Sequence, residues 1–187
     1  MFQKTTSLLI AISLMSLISG CGSFYAGRLP SNYIEDYANS IKLKDISVAV
    51  KFYNCDEAKE TFSCNMDEKG IHPVFMVIDN KSNVTYGFRK ENIDSRYIYA
   101  VNAARSCFLS KMKYGGIWPP LHIRVSKINE NMKNDYLSKE IADISVEPGN
   151  SLSGVIFLKS IKSGEKLNIP LINRNDGTRL IFEFQKP

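Results

Sequence analysis

HPVFMVID, residues 72–79, is the run on which the reading of this chain turns. Val74, Phe75, Met76, Val77 and Ile78 are apolar without alternation, so both faces of a strand here need cover. LSGVIFL, residues 152–158, has the same character. Two such runs predict central strands of a packed β-structure. Around them stand half-buried strands with a period of two. Ile46, Val48, Val50 and Phe52 alternate with Ser47, Ala49, Lys51 and Tyr53. Leu121, Ile123 and Val125 alternate with His122, Arg124 and Ser126, and Leu180, Phe182 and Phe184 with Ile181, Glu183 and Gln185. Short strands are also expected at 84–88, 143–146 and 167–172. Turn chemistry separates them: Asn80-Lys81-Ser82-Asn83, Glu147-Pro148-Gly149-Asn150, Lys162-Ser163-Gly164-Glu165 and Asn175-Asp176-Gly177.

Between residues 95 and 142 the period changes. Ile98, Val101, Ala104, Phe108 and Met112 recur at steps of three and four, with Gly115-Gly116 as a stop. Met132, Tyr136, Leu137 and Ile141 predict a second helix over 129–142. Mainly β with one or two helical insertions, the pattern predicts an antiparallel β-sandwich over residues 41–187. The runs Val74–Phe88 and Pro148–Phe157 resemble those of exported Ig-like modules, in which "V-F-x-V-x-N-x-S" leads into "Y-x-F" and "P-G-x-S-x-S-G-V-x-F" follows later. This resemblance implies an Ig-like sandwich and carries no catalytic residue.

The N-terminus, MFQKTTSLLIAISLMSLISGCG, has Lys4 as its only charge, then an apolar run from Leu8 to Ile18. That suits a signal peptide and falls short of the roughly 20 residues a spanning helix needs. Leu17-Ile18-Ser19-Gly20-Cys21 resembles the bacterial lipobox. The resemblance implies cleavage after residue 20, lipid on Cys21 and attachment to a membrane through acyl chains. By resemblance to Gram-negative lipoproteins, Gly22 rather than Asp after the lipidated Cys implies the outer membrane, on its periplasmic side. Residues 21–40 show no clear period and are expected to be a tether; they are not Gly/Ser-rich, so partial order or docking on a partner is the alternative.

The net charge is +5 at pH 7, and Lys4 in the leader contributes one of it. That is too mild to point to nucleic acid. An exported chain folds in an oxidising compartment. Cys55 and Cys64 bracket the polar segment DEAKETFS, and a short disulfide loop joining them is the expected pairing. Two free thiols, or a Cys64–Cys107 bond, are the alternatives, because spacing does not fix connectivity. Cys107 then reads as a small buried hydrophobe.

Catalytic patterns are missing from the sequence. His72 and His122 have no metal-ligand spacing around them, and there is no Gly-x-Ser-x-Gly, Walker loop or dinucleotide fingerprint. Cys107 with His122 is the one imaginable thiol–imidazole pair, and Glu57 and Glu60 read as a solvated face. No enzyme, metal, cofactor or small-molecule substrate is expected. A binding surface is expected at Tyr114, Ile117 and Trp118, in a loop stiffened by Pro119-Pro120, with Arg124 and Lys127 from the basic middle of the chain. Trp118 has the alternative task of plugging one end of the sandwich, and the cations that of forming solvated faces. The expectation is a lipid-anchored, non-enzymatic binding or assembly module for another envelope protein. The alternative is a periplasmic inhibitor of a hydrolase such as a lysozyme or protease, plugging it with the Trp118 loop or the Cys55–Cys64 loop.

Overall fold

A computed structural model describes residues 24–110, 113 and 119–187. Cys21, Tyr114, Ile117 and Trp118 lie outside the described residues. The described chain is an antiparallel β-sandwich with helical insertions. Its strands are β1 (Ser40–Leu43), β2 (Ile46–Phe52), β3 (Ile71–Asn80), β4 (Tyr86–Gly87), β5 (Tyr97–Ile98), β6 (Ser145–Val146), β7 (Ser151–Lys159), β8 (Lys166–Asn173) and β9 (Arg179–Gln185). The helices are α1 (Cys55–Phe62), α2 (Ala100–Cys107) and α3 (Pro119–Lys139). One sheet has the order β1-β2-β3-β7-β5 and the other β6-β4-β8-β9.

The two doubly apolar runs are the middle of the first sheet, where β3 pairs with β2 on one side and β7 on the other. Alternation divides their side chains between two cores. Val74, Met76 and Ile78 of β3, with Ile156 and Leu158 of β7, join Leu167, Ile169, Leu171, Phe182 and Phe184 between the sheets. Phe75 and Val77 of β3, with Val155 and Phe157 of β7, point the other way. They pack against Ala58 and Phe62 of α1, Ala103 and Ala104 of α2, and Met132 and Tyr136 of α3. The molecule therefore has three layers: helices, first sheet, second sheet. Within the helical core Tyr136 stacks on Phe157 at 5.6 Å, and Phe62 meets both edge-on.

Four expectations are corrected. First, the strand expected over 121–126 is the start of α3, a single helix that also contains most of the helix expected over 129–142. Its buried positions are Val125, Asn129, Met132, Tyr136 and Lys139, at steps of three and four, whereas Ile123 is 71% exposed. Pro119 and Pro120 occupy its first turn, where a missing N–H costs nothing.

Second, the helix expected from about 95 to Gly115 is shorter. Ile98 belongs to β5 and pairs with Phe157, and α2 ends at Cys107. Glu140, just beyond α3, supplies the cap of α2: its carboxylate accepts from Ala100 N at 2.8 Å and from the Tyr97 hydroxyl at 2.6 Å. Its other oxygen sits 3.0 Å from the ammonium of Lys90, itself buried.

Third, DEAKETFS is not a disulfide loop. It forms most of α1, opened by a capping box in which Glu57 N donates to Asn54 Oδ1 and Asn54 N donates to the Glu57 carboxylate. The bond expected between Cys55 and Cys64 is not formed. Cys64 is bonded to Cys107, with Cα atoms 5.8 Å apart, and Cys55 is a free, exposed thiol. The physical reason is the helix, which places Cys55 at its first residue and Cys64 beyond its last.

Fourth, residues 24–39 do not stand off the domain as a tether. Phe24, Leu29, Ile34 and Tyr37 pack into the helix-side core.

The chain leaving α3 crosses β7 closely. Ile141 N donates to Val155 O at 3.0 Å, and a Cβ on Gly154 would lie 2.6 Å from Ile141 Cα and 2.7 Å from its nitrogen. Both are backbone atoms, held by that hydrogen bond. Gly154→Ala is therefore expected to lower the unfolding free energy by about 3 kcal/mol in urea titrations.

Candidate functional site

Arg124 and Lys127, three residues apart, are both exposed on α3. The helical period puts Ile123, Lys127, Glu130, Asn134 and Leu137 along one outward stripe, and Ile123 and Leu137 are 71% and 45% exposed. An aliphatic residue at each end of a polar stripe, beside two cations, suits contact with another protein better than chemistry. Glu130 is engaged by Lys133 at 2.7 Å. The inner face of α3 is fully used by the fold. The Asn129 side-chain amide holds both the N–H and the C=O of Leu109, and Lys139 donates to Thr61 O at 3.0 Å while paired with Asp135. Tyr114, Ile117 and Trp118 precede this helix in the chain and have no described position.

A second feature was not expected from the sequence. Residues 25–30 roof a cleft of about 430 Å³ whose floor is Lys51 and Tyr53 and whose wall is Glu57, Glu60 and Thr61 of α1. Lys51 Nζ and Glu57 Oε1 are 2.8 Å apart. Burial pushes the Tyr53 phenol up, and its hydroxyl has no hydrogen-bond partner among the described residues. Such a cleft can seat a small polar or aromatic group. Its signal in the sequence is slight, because the roof residues have no periodicity.

The remaining cysteine chemistry is quiet. Cys55 Sγ lies 3.0 Å from Asp67 Oδ2, and the other Asp67 oxygen lies 3.0 Å from His72 Nδ1. Asp67 thus stands between thiol and imidazole. Its hydrogen bond, more than burial, pushes the Cys55 thiol up, away from the nucleophilic thiolate. His72 is pushed down by burial and by nearby Lys186. Cys107 is consumed by its disulfide and cannot pair with His122 as a nucleophile. Among the described residues no group of three His, Cys, Asp or Glu side chains is placed to hold a metal ion. Compared with protein-family models and with curated proteins, the chain matches none.

Proposed function

We propose that this protein is a lipid-anchored envelope lipoprotein, acting as a non-enzymatic binding or assembly module at the periplasmic face of the outer membrane. The observation that carries the reading is the Cys64–Cys107 bond. Disulfides persist in oxidising compartments, where the leader and the lipobox-like Leu17–Cys21 would deliver the chain. No helix of the described residues is long and apolar enough to cross a membrane, and an acylated Cys21 needs none. The exposed stripe of α3, with Arg124 and Lys127 and with Tyr114, Ile117 and Trp118 just before it in sequence, is the surface assigned to the partner. The inhibitor reading has lost one of its two plugs, since the Cys55–Cys64 segment is a helix packed on the sheet.

Two measurements test this. Intact mass of membrane-extracted protein is expected to show acyl chains on Cys21 and a gain of two hydrogens on reduction. Cys21→Ala is expected to leave the membrane fraction. In crosslinking from whole envelopes, the double variant Arg124→Glu/Lys127→Glu is expected to reduce partner capture by about tenfold, equivalent to about 1.4 kcal/mol. Capture at the native level would remove this stripe from the interface.

A further inference from the structure

We infer that the surface carrying Tyr25, where residues 24–27 dock on the C-terminal end of α1, lies directly on the phospholipid headgroups, held there by the shortness of the chain between Cys21 and its docking point. The inference rests on the acylation of Cys21 proposed above and adds an orientation to it.

The described chain begins docked. Phe24 packs into the helix-side core. Tyr25 N donates to Ser63 Oγ at 3.1 Å, and the same hydroxyl donates back to Tyr25 O at 2.6 Å. Gly27 N donates to Thr61 O at 3.2 Å. At Gly27 the approach is so close that a Cβ would sit 2.5 Å from Glu60 O and 2.6 Å from Thr61 Cα. The segment is thus fastened to the C-terminal end of α1, and that end is fastened through Cys64 to the end of α2.

Phe24 follows Cys21 by three residues. Even a fully extended chain spans no more than about 3.6 Å per residue, so their Cα atoms are at most about 11 Å apart. An acylated Cys21 sits at the headgroup layer, a zone roughly 5–8 Å thick on each side of the hydrocarbon. A domain docked so near its anchor has no room to stand clear of the bilayer. The surface that meets it is suitable. Tyr25 is 73% exposed, and an aromatic ring with a polar tip favours the membrane interface. Arg28 of the docked segment and Lys59 of α1 are exposed, as are Asp56 and Glu60 of α1, and cations are drawn to anionic headgroups. The outer face of the second sheet, where Ile181 is 52% exposed, lies roughly 20 Å beyond, across a helix layer and a sheet spacing.

The test places the photocrosslinker p-benzoylphenylalanine at Tyr25 or at Ile181 in the full, processed protein. The protein is reconstituted in phosphatidylethanolamine–phosphatidylglycerol vesicles, irradiated and weighed intact. Phospholipid adducts are expected at position 25, at least about tenfold above those at 181. Acylated protein with equal adducts at both positions, or none at 25, overturns the inference. An unacylated Cys21, read from the same spectra, overturns the anchored reading and the inference with it. A second arm inserts about ten Gly/Ser residues between Ser23 and Phe24, which lets the acylated domain diffuse away on a flexible leash. Its adduct yield at position 25 is expected to fall about fivefold, as local concentration drops with leash length. An undiminished yield overturns the role given to the short chain.

Discussion

Replacing Cys64 and Cys107 together by alanine is expected to lower the unfolding free energy by about 4 kcal/mol. The half-cystines are 43 residues apart in sequence. A cross-link closing a loop of that length removes unfolded-state entropy worth about this much. The native contacts around it survive, since Phe62, Tyr136 and Phe157 hold the helical layer without it. Denaturant midpoints of the double variant and of reduced wild-type protein should therefore agree. Cys64→Ala alone is expected to behave worse than the double variant, because Cys107 is then free to pair with exposed Cys55 or with a second molecule. Equal stability of wild type and double variant would mean that packing alone holds α2 to α1.

Glu140→Ala is expected to cost about 4 kcal/mol, the range for breaking a buried ion pair on one side. Lys90 and Glu140 side chains retain 10% and 9% exposure. Removing the carboxylate strands the ammonium with only Asp143, 3.7 Å away, and leaves the Tyr97 hydroxyl and Ala100 N–H without their acceptor. Burial, with Glu140 beside it, holds the Tyr97 phenol above its ordinary range, and the variant should bring that titration down. Adding Lys90→Met to Glu140→Leu is expected to recover about half the loss, because an apolar pair needs no partner. Urea unfolding of the three variants decides it. A loss below about 1 kcal/mol for Glu140→Ala would place Lys90 among solvated surface pairs.

The middle of the sandwich was legible because β3 and β7 each serve two cores, so their sequences carry no polar face. The helical insertion was half legible. Leu121, Ile123 and Val125 alternate by chance at the start of α3. Two of the helix's buried positions, Asn129 and Lys139, are polar and satisfied by Leu109, Thr61 and Asp135, which blurred the apolar stripe. Helix α1 has a local signal in Asn54-Cys55-Asp56-Glu57, a capping-box pattern that coincides with a cysteine spacing equally suited to a short disulfide loop. Disulfide connectivity is a long-range fact, and nothing local in Cys64 points to Cys107. The docking of residues 24–39 was illegible for a related reason: Phe24, Leu29, Ile34 and Tyr37 follow no period, because an irregular segment meets its core wherever the surface offers a hollow. At the proposed interface the residues Arg124 and Lys127 stand out in sequence, but only a helix, not a strand, puts them beside Ile123.

Strand β3 ends at Asn80 and β7 begins at Ser151, yet each lies against the other from Ile71–Lys159 to Asp79–Ser151. A chain that emerges from its N-terminus forward must wait, with β1, β2 and β3 already available as a meander, until the last third arrives. During that interval one long apolar edge of β3 has no neighbour. Sheets assembled from such distant segments form slowly, and an uncovered edge is where misassociation starts. Slow-folding variants should therefore be sought among residues that close β7 onto β3 rather than among those that build the helices, with refolding half-times as the measurement.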